Sequence, residues 1–273
     1  MIKKCLFPAA GYGTRFLPAT KAIPKEMLPI ITKPLLQYGV EEALTAGITN
    51  MAIVTGRGKR SIEDHFDNSY ELESQLNGTS KEYYLKEINE LIERATFTYI
   101  RQSKMLGLGD AIYTGKPLIG NEPFAVILAD DLFDNENESA TSQLIEVYKK
   151  YKCSIVAVQE VPKNKTSQYG IIDAGLIQGS KNLFKVNSMV EKPLSINAPS
   201  NLAVIGRYIL TPDIFDILKN LNPGINNEVQ LTDALNLQAK EGRVIALKLN
   251  GTRFDCGNIR GYIDATNHFA NKI

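Results

Sequence analysis

Short runs of apolar, often β-branched residues alternate along this chain with longer segments whose apolar positions recur every three or four residues. Residues 4–8, 50–55, 97–101, 124–129 and 154–159 have the length and composition of strands, and 124–129 (F-A-V-I-L-A) is apolar throughout. A run with no polar face is one that both sides of a sheet bury. Between these runs, residues 34–46 carry Leu35, Leu36, Val40 and Leu44 at helical spacing and stop at Gly47. Residues 61–66, 109–118 and 139–150 read as further helices, and 72–94 as a charged helical segment broken at Asn77-Gly78. Such alternation predicts an α/β fold with a central, largely parallel sheet covered on both faces.

The second half is less regular. Residues 170–172, 186–191, 202–210 and 244–249 read as short strands, with helices near 212–218 and 231–240. They are expected to form an antiparallel extension closing over one edge of the sheet. No Pro-, Gly- or Ser-rich linker cuts the chain, so residues 1–273 read as one domain with two lobes.

Charge narrows the function. The chain has 31 Lys+Arg against 30 Asp+Glu in 273 residues, a formal net charge of +1. That balance argues against a general nucleic-acid or membrane-surface binder, so positive charge meeting a polyanion must be concentrated in a pocket. The longest apolar stretches are about six residues, too short for a membrane span or the core of a signal peptide. Three scattered cysteines (Cys5, Cys153, Cys256) and two histidines (His65, His268) fit neither a disulfide framework nor a zinc site. The expected setting is the cytosol.

Three constellations carry candidate chemistry. The first is A-A-G-Y-G-T-R at residues 9–15, directly after the first strand. Its glycines let the backbone approach a ligand, and successive N–H groups can cradle phosphate oxygens. Plain connection is the competing reading. Phe16 stands where a dinucleotide fingerprint needs its third glycine, and the Gly-Lys-Ser/Thr of a Walker loop is missing. The sequel P-K-E-M-L-P, residues 24–29, places Lys25 ten residues after Arg15. Two cations beside a glycine loop suit a triphosphate, whereas Lys25 alone would read as a surface lysine.

The second is Asp130-Asp131 at the end of the buried run, where ligands of open α/β sheets bind. A carboxylate there suits Mg²⁺ shared with substrate phosphates, although a strand-ending cap explains the pair equally well. Asp255 in F-D-C-G-N is a second candidate, with a turn aspartate as its alternative. The third comprises Gln102 and Gly107 in Q-S-K-M-L-G-L-G-D-A, and Glu191-Lys192 in V-E-K-P. Gln102 offers a donor and an acceptor to a pyrimidine edge. Glu191 and Lys192 suit sugar hydroxyls and a sugar phosphate, unless they are simply a solvated pair. The basic turn with Arg57, Lys59 and Arg60 reads equally as a phosphate contact, a solvated turn or a subunit contact.

Taken together, these motifs resemble the bacterial UTP–glucose-1-phosphate uridylyltransferases (UDP-glucose pyrophosphorylases). The resemblance starts at residues 7–29 and continues through 54–67 and G-L-G-D-A at 107–111. It resumes at A-D-D, Y-G-I-I, V-E-K-P, E-V-Q-L-T-D-A and F-D-C-G-N. Tyr12, Ala129 and Asn258 depart from it, where Leu, Pro and Ser are expected; none bears the chemistry. The resemblance implies a Rossmann-like mixed, mainly parallel sheet of the nucleotide-diphospho-sugar transferase type, with a smaller sugar-binding lobe. It implies that UTP and glucose 1-phosphate give UDP-glucose and pyrophosphate with Mg²⁺, in a homodimer or homotetramer. It further implies catalytic roles for Arg15, Lys25 and Lys192, and nucleotide contacts from Ala9, Ala10, Gly11, Gly13, Thr14, Glu26, Gln102 and Gly107. Gly170, Glu191 and Lys192 would hold the sugar, and Asp130 and Asp255 the metal. The same chemistry with dTTP or another sugar 1-phosphate is the nearest alternative, because apolar pockets discriminate a methyl group by only about 1–3 kcal/mol. A non-catalytic nucleotide-sugar sensor on this fold is the other.

Overall fold

The computed structural model describes residues 2–135, 138–224 and 227–273. Its strands are β1 (Lys4–Pro8), β2 (Pro29–Ile30), β3 (Lys33–Pro34), β4 (Asn50–Thr55), β5 (Thr96–Arg101), β6 (Phe124–Ile127) and β7 (Asp131–Asp134). They continue with β8 (Ser154–Glu160), β9 (Gly170–Leu176), β10 (Leu183–Glu191), β11 (Leu202–Leu210), β12 (Val244–Lys248) and β13 (Thr252–Asp255). The helices are α1 (Leu35–Thr45), α2 (Arg60–His65), α3 (Tyr70–Leu76), α4 (Tyr83–Arg94) and α5 (Leu108–Thr114). After them come α6 (Lys116–Ile119), α7 (Ala140–Tyr151), α8 (Ile214–Asn220), α9 (Leu231–Lys240) and α10 (Ile259–Ala270).

One sheet runs in the order β5-β4-β1-β6-β11-β8-β12-β10-β9. The first four strands are mutually parallel, with Leu6 in register with both Ala52 and Val126. β11 is antiparallel to β6 and β8, β12 is parallel to β8, and β10 is antiparallel to β12 and β9. Every strand except β11 and β10 therefore points the same way. Alternate residues feed two cores, one on each face. Cys5, Phe7, Ala125 and Ile127 meet Leu36 and Val40 of α1 and Leu144 of α7. Leu6, Phe124 and Val126 meet Ile112 of α5, Phe215 of α8 and Leu235 of α9. The all-apolar run is explained by this two-sided burial.

Four features differ from the sequence reading. The second half continues the same sheet instead of folding over its edge, because β11 inserts between β6 and β8. The apolar run leaves the sheet at Leu128, whose N–H goes to Gly206 O (2.9 Å), and Asp131 N closes a turn on Leu128 O at 3.1 Å. The chain then forms β7, which pairs antiparallel with β13. The segment read as one helix over 109–118 is two, with Pro117 opening α6. Finally, α10 follows Asn258, whose Oδ1 accepts from Gly261 N at 2.9 Å as an N-cap. It packs Ala265 and Phe269 against Leu132 and Phe254 of the β7–β13 ribbon.

Candidate active site

The carboxyl ends of β1, β5 and β6 open onto one cleft of about 400 Å³, lined by residues that include Ala10, Gly11, Gly13, Thr14, Lys25, Gln102, Gly107 and Asp130. Local sequence dictates its walls. Gly13 has φ +67°, and a Cβ there would lie 3.0 Å from Lys25 Cβ, so the turn closes against the lysine stem. Thr20 Oγ1 donates to Gly13 O at 2.7 Å and holds the loop. Gly107, at φ +98°, sits against Glu228, and a Cβ there would come within 2.8 Å of the Glu228 Cβ. Ala9 does not line the cleft; its N–H donates to Val54 O at 2.9 Å and extends the β1–β4 pairing.

Lys25 and Asp130 form an ion pair within the cleft. Burial opposes the Lys25 charge, but the carboxylates of Asp130 and Glu26 together outweigh that and raise the lysine. Burial likewise opposes ionisation of Asp130, and Lys25 overcomes it, with help from Arg15, to hold the carboxyl below its ordinary range. Arg15 and Asp255 join the pair around Gly257. Arg15 Nη1 donates to Gly257 O at 3.2 Å. A Cβ at Gly257 would lie 3.1 Å from both Asp130 Oδ2 and Asp255 Oδ1. The two candidate metal carboxylates therefore converge on one point.

The neighbouring carboxylates have other work. Asp131 is buried and takes Arg253 Nε at 2.5 Å and Gly206 N at 2.7 Å, so it pins β13 and β11 to the turn that carries Asp130. Glu42 accepts from Arg207 Nη2 at 2.8 Å and from Thr141 N at 3.0 Å, and Arg207 Nη1 reaches Leu128 O at 3.3 Å. These ties fix the turn from behind. Glu26 is buried and pairs with buried Lys59 at 2.6 Å, leaving its own Oε1 without a partner among the described residues. Burial raises the Glu26 carboxyl and lowers the Lys59 ammonium. Lys59 is thus internal, whereas Arg57 and Arg60 are exposed.

Gly170, Glu191 and Lys192 cluster at the paired ends of β9 and β10, where Gly170 and Glu191 are in register. Thr232 Oγ1 donates to Glu191 Oε2 at 2.7 Å, and Lys192 Nζ lies 3.3 Å from Glu191 Oε1. Tyr169 connects this cluster to the Asp130 side of the site. Its carbonyl accepts from Lys192 N at 3.0 Å, and its hydroxyl donates to Asp255 Oδ2 at 2.9 Å. The sequence reading missed Tyr169 and Glu228 as individual residues, although both stand inside the motifs Y-G-I-I and E-V-Q-L-T-D-A.

Gln102 also differs from expectation. Its amide Nε2 donates to Asp110 Oδ2 at 2.6 Å and to Gly107 O at 3.3 Å, so both hydrogens are used inside the protein. It presents the cleft with an acceptor only.

The carboxylates, oxygen donors all, fit a hard divalent cation completed by substrate phosphates. Among the described residues no group of three or more His, Cys, Asp or Glu side chains forms a complete protein cage.

A mixed sheet with a glycine loop, two cations and a carboxylate at its carboxyl edge, joined by Asp255 from the β7–β13 ribbon, is suited to a phosphorylated ligand, and comparison with known proteins gives its class. A family model for nucleotidyl transferases matches residues 6–272. The chain is 62% identical over 268 residues to a UTP–glucose-1-phosphate uridylyltransferase of Pseudomonas aeruginosa, spanning 98% of this chain and 95% of that protein. The crystal structure of an apo UDP-glucose pyrophosphorylase superposes with a TM-score of 0.95 at 59% identity, covering 100% of this chain and 99% of that one. A UDP-glucose pyrophosphorylase complexed with UDP-glucose gives 0.93 at 57% identity, with 100% of both chains covered. The chain belongs to the nucleotidyl transferases and, within them, to the UTP–glucose-1-phosphate uridylyltransferase family. Among the described residues no helix is long and apolar enough to cross a membrane.

Proposed function

We propose that this chain transfers the uridylyl group of UTP to glucose 1-phosphate, giving UDP-glucose and pyrophosphate. The observation that carries the reading is the convergence of Arg15, Lys25, Asp130 and Asp255 beside a cleft that Gln102 lines. A phosphate oxygen of the sugar phosphate attacks the α-phosphorus of UTP in line, and the bond to pyrophosphate breaks. The nucleophile is already an anion, so no general base is required. The difficulty is to bring two anions together and hold the charge that builds between them.

Arg15 and Lys25 meet the nucleotide phosphates, with Ala10, Gly11, Gly13 and Thr14 supplying backbone contacts. Glu26, expected among the nucleotide contacts, is buried against Lys59 and does not line the cleft, so it acts on the nucleotide side through the loop that carries Lys25. Gln102 and Gly107 hold the base. Ala9 acts through the strand end that it fixes. Gly170 and Glu191 hold the sugar, and Lys192 its phosphate. Asp130 and Asp255 would hold Mg²⁺, which draws charge from the nucleotide phosphates when bound.

The reading extends to a single two-lobed domain, supported by the continuous sheet, and to a cytoplasmic homodimer or homotetramer. Three free cysteines suit a cytoplasmic setting, and exposed Tyr70 of α3 with Tyr83 and Tyr84 of α4 offer apolar surface to a second copy. Pyrophosphate release across a panel of nucleoside triphosphates and sugar 1-phosphates, with and without Mg²⁺, tests the function. Mg²⁺-dependent release is expected with UTP and glucose 1-phosphate, and its absence would defeat the reading.

A further inference from the structure

Gln102 is 4% exposed and lines the cleft, yet its Oε1 takes no hydrogen bond from any described residue. Its partners on the other side, Asp110 Oδ2 and Gly107 O, are both acceptors. A carboxylate and a carbonyl can only accept, so the amide NH₂ must face them and the amide oxygen must face the cleft. The reversed amide would set Oε1 against the Asp110 carboxylate at 2.6 Å and leave a buried oxygen repelled by a charge. The contact to Gly107 is longer, 3.3 Å, and uncharged, so Asp110 supplies most of the bias.

We propose that Asp110 is the specificity-determining residue of the base pocket: by locking Gln102 with its oxygen outward, it selects a pyrimidine whose ring N3 carries a hydrogen. Uracil presents N3–H as a donor, which Gln102 Oε1 accepts. Cytosine presents an unprotonated N3, an acceptor facing an acceptor. Discrimination by an unmatched polar pair is far stronger than discrimination by a methyl group. Thymine carries the same N3–H, so this device separates UTP from CTP and leaves UTP against dTTP to the apolar lining. Asp110 touches no substrate in this account and acts through Gln102. It stands in the first turn of α5, where favourable interaction with the helix dipole is the competing explanation.

The inference rests on the reading that Gln102 faces the base, and the test separates the two. Steady-state kcat/KM is measured with UTP, CTP and dTTP for the wild type, Asp110→Asn, Asp110→Ala and Gln102→Ala. Calorimetric binding of UMP and CMP gives a second readout. Both Asp110 variants should lower the UTP-to-CTP ratio about tenfold or more, by freeing the amide to turn its NH₂ toward cytosine N3. The UTP-to-dTTP ratio should stay within about twofold. If both folded Asp110 variants keep the wild-type UTP-to-CTP ratio, with only thermal stability changed, Asp110 is a helix-stabilising residue and the proposal fails. A Gln102→Ala enzyme with unaltered KM for UTP and unaltered base preference would instead overturn the assignment of Gln102 to the base, and the proposal with it.

Discussion

The Tyr169 hydroxyl donates to Asp255 Oδ2 across 2.9 Å, while its own carbonyl accepts from Lys192 N at 3.0 Å. One residue thus holds a candidate metal carboxylate with its side chain and the sugar-phosphate lysine with its backbone. Tyr169→Phe removes the hydroxyl, which ties to Asp255 and also reaches Arg253, and keeps the backbone tie and the ring over which Arg253 lies at 5.3 Å. A hydrogen bond to a charged group contributes about 1.5–3 kcal/mol, so half-maximal Mg²⁺ should rise roughly tenfold. The KM for glucose 1-phosphate should change little. A magnesium titration with unchanged midpoint would leave Tyr169 with packing alone.

Lys192 occupies a positive-φ position, φ +44°, held by that same backbone bond to Tyr169. Its side chain is 41% exposed and its contact with Glu191 is a surface pair, worth little to stability. Lys192→Ala should therefore melt with the wild type yet lose roughly 10²-fold or more in kcat/KM, the scale of one lost charged stabiliser. Turnover near the wild-type level would remove Lys192 from the chemistry.

Asp130 holds Lys25 and converges with Asp255 beside Gly257. Asp130→Ala should abolish Mg²⁺-dependent pyrophosphate release, because Lys25 loses its counter-charge and the proposed metal loses a ligand. The check is turnover measured from micromolar to millimolar Mg²⁺. Activity retained at ordinary magnesium concentrations would move the metal site elsewhere.

The parallel half of the fold was legible because β6 is apolar throughout, β1 and β4 nearly so, and α1 carries its apolar residues on one stripe. Residues 202–210 read correctly as a strand, but no pattern within them says that β11 runs antiparallel between β6 and β8. Pairing partners are set by tertiary packing, which a local period does not encode. The site shows the same division. Arg15, Lys25, Asp130 and Asp255 announce themselves by charge beside glycines and strand ends. Asp131 looked like an equal partner of Asp130, and only the alternation of side chains along β7 turns it inward to Arg253. Tyr169 was invisible because its role depends on Asp255, 86 residues away. Lys59 stayed open between a phosphate contact, a solvated turn and a subunit contact because its Glu26 partner is likewise remote, 33 residues back.

That Lys59–Glu26 pair is 7% and 1% exposed at the side chains. Breaking a buried pair by deleting one charge leaves the other uncompensated, at a cost of about 3–5 kcal/mol. Glu26 already lacks a partner for Oε1, so Lys59→Met should destabilise by about 3 kcal/mol, the lower part of that range. Urea denaturation measures it. A loss below about 1 kcal/mol would mean that Glu26 simply takes up a proton when Lys59 is gone.

Asp134 ties the last turn of α10 to the β7–β13 ribbon, with His268 Nε2 at 2.5 Å and Lys272 Nζ at 2.6 Å from Oδ2. Burial pushes the Asp134 carboxyl up, but the hydrogen bonds and charges of Lys272 and His268 prevail and hold it below its ordinary value. The unfolded chain therefore takes the proton first as pH falls. Stability from this carboxylate is complete above the ordinary aspartate pKa of about 3.9 and is lost as pH drops through the lower folded value. Asp134→Asn should melt below the wild type at pH 7, and the difference should shrink toward zero below about pH 4. Melting curves of both proteins across that range provide the check. A gap that stays constant through the acid range would assign the loss to altered packing against Phe254 and Phe269 instead of to the carboxylate.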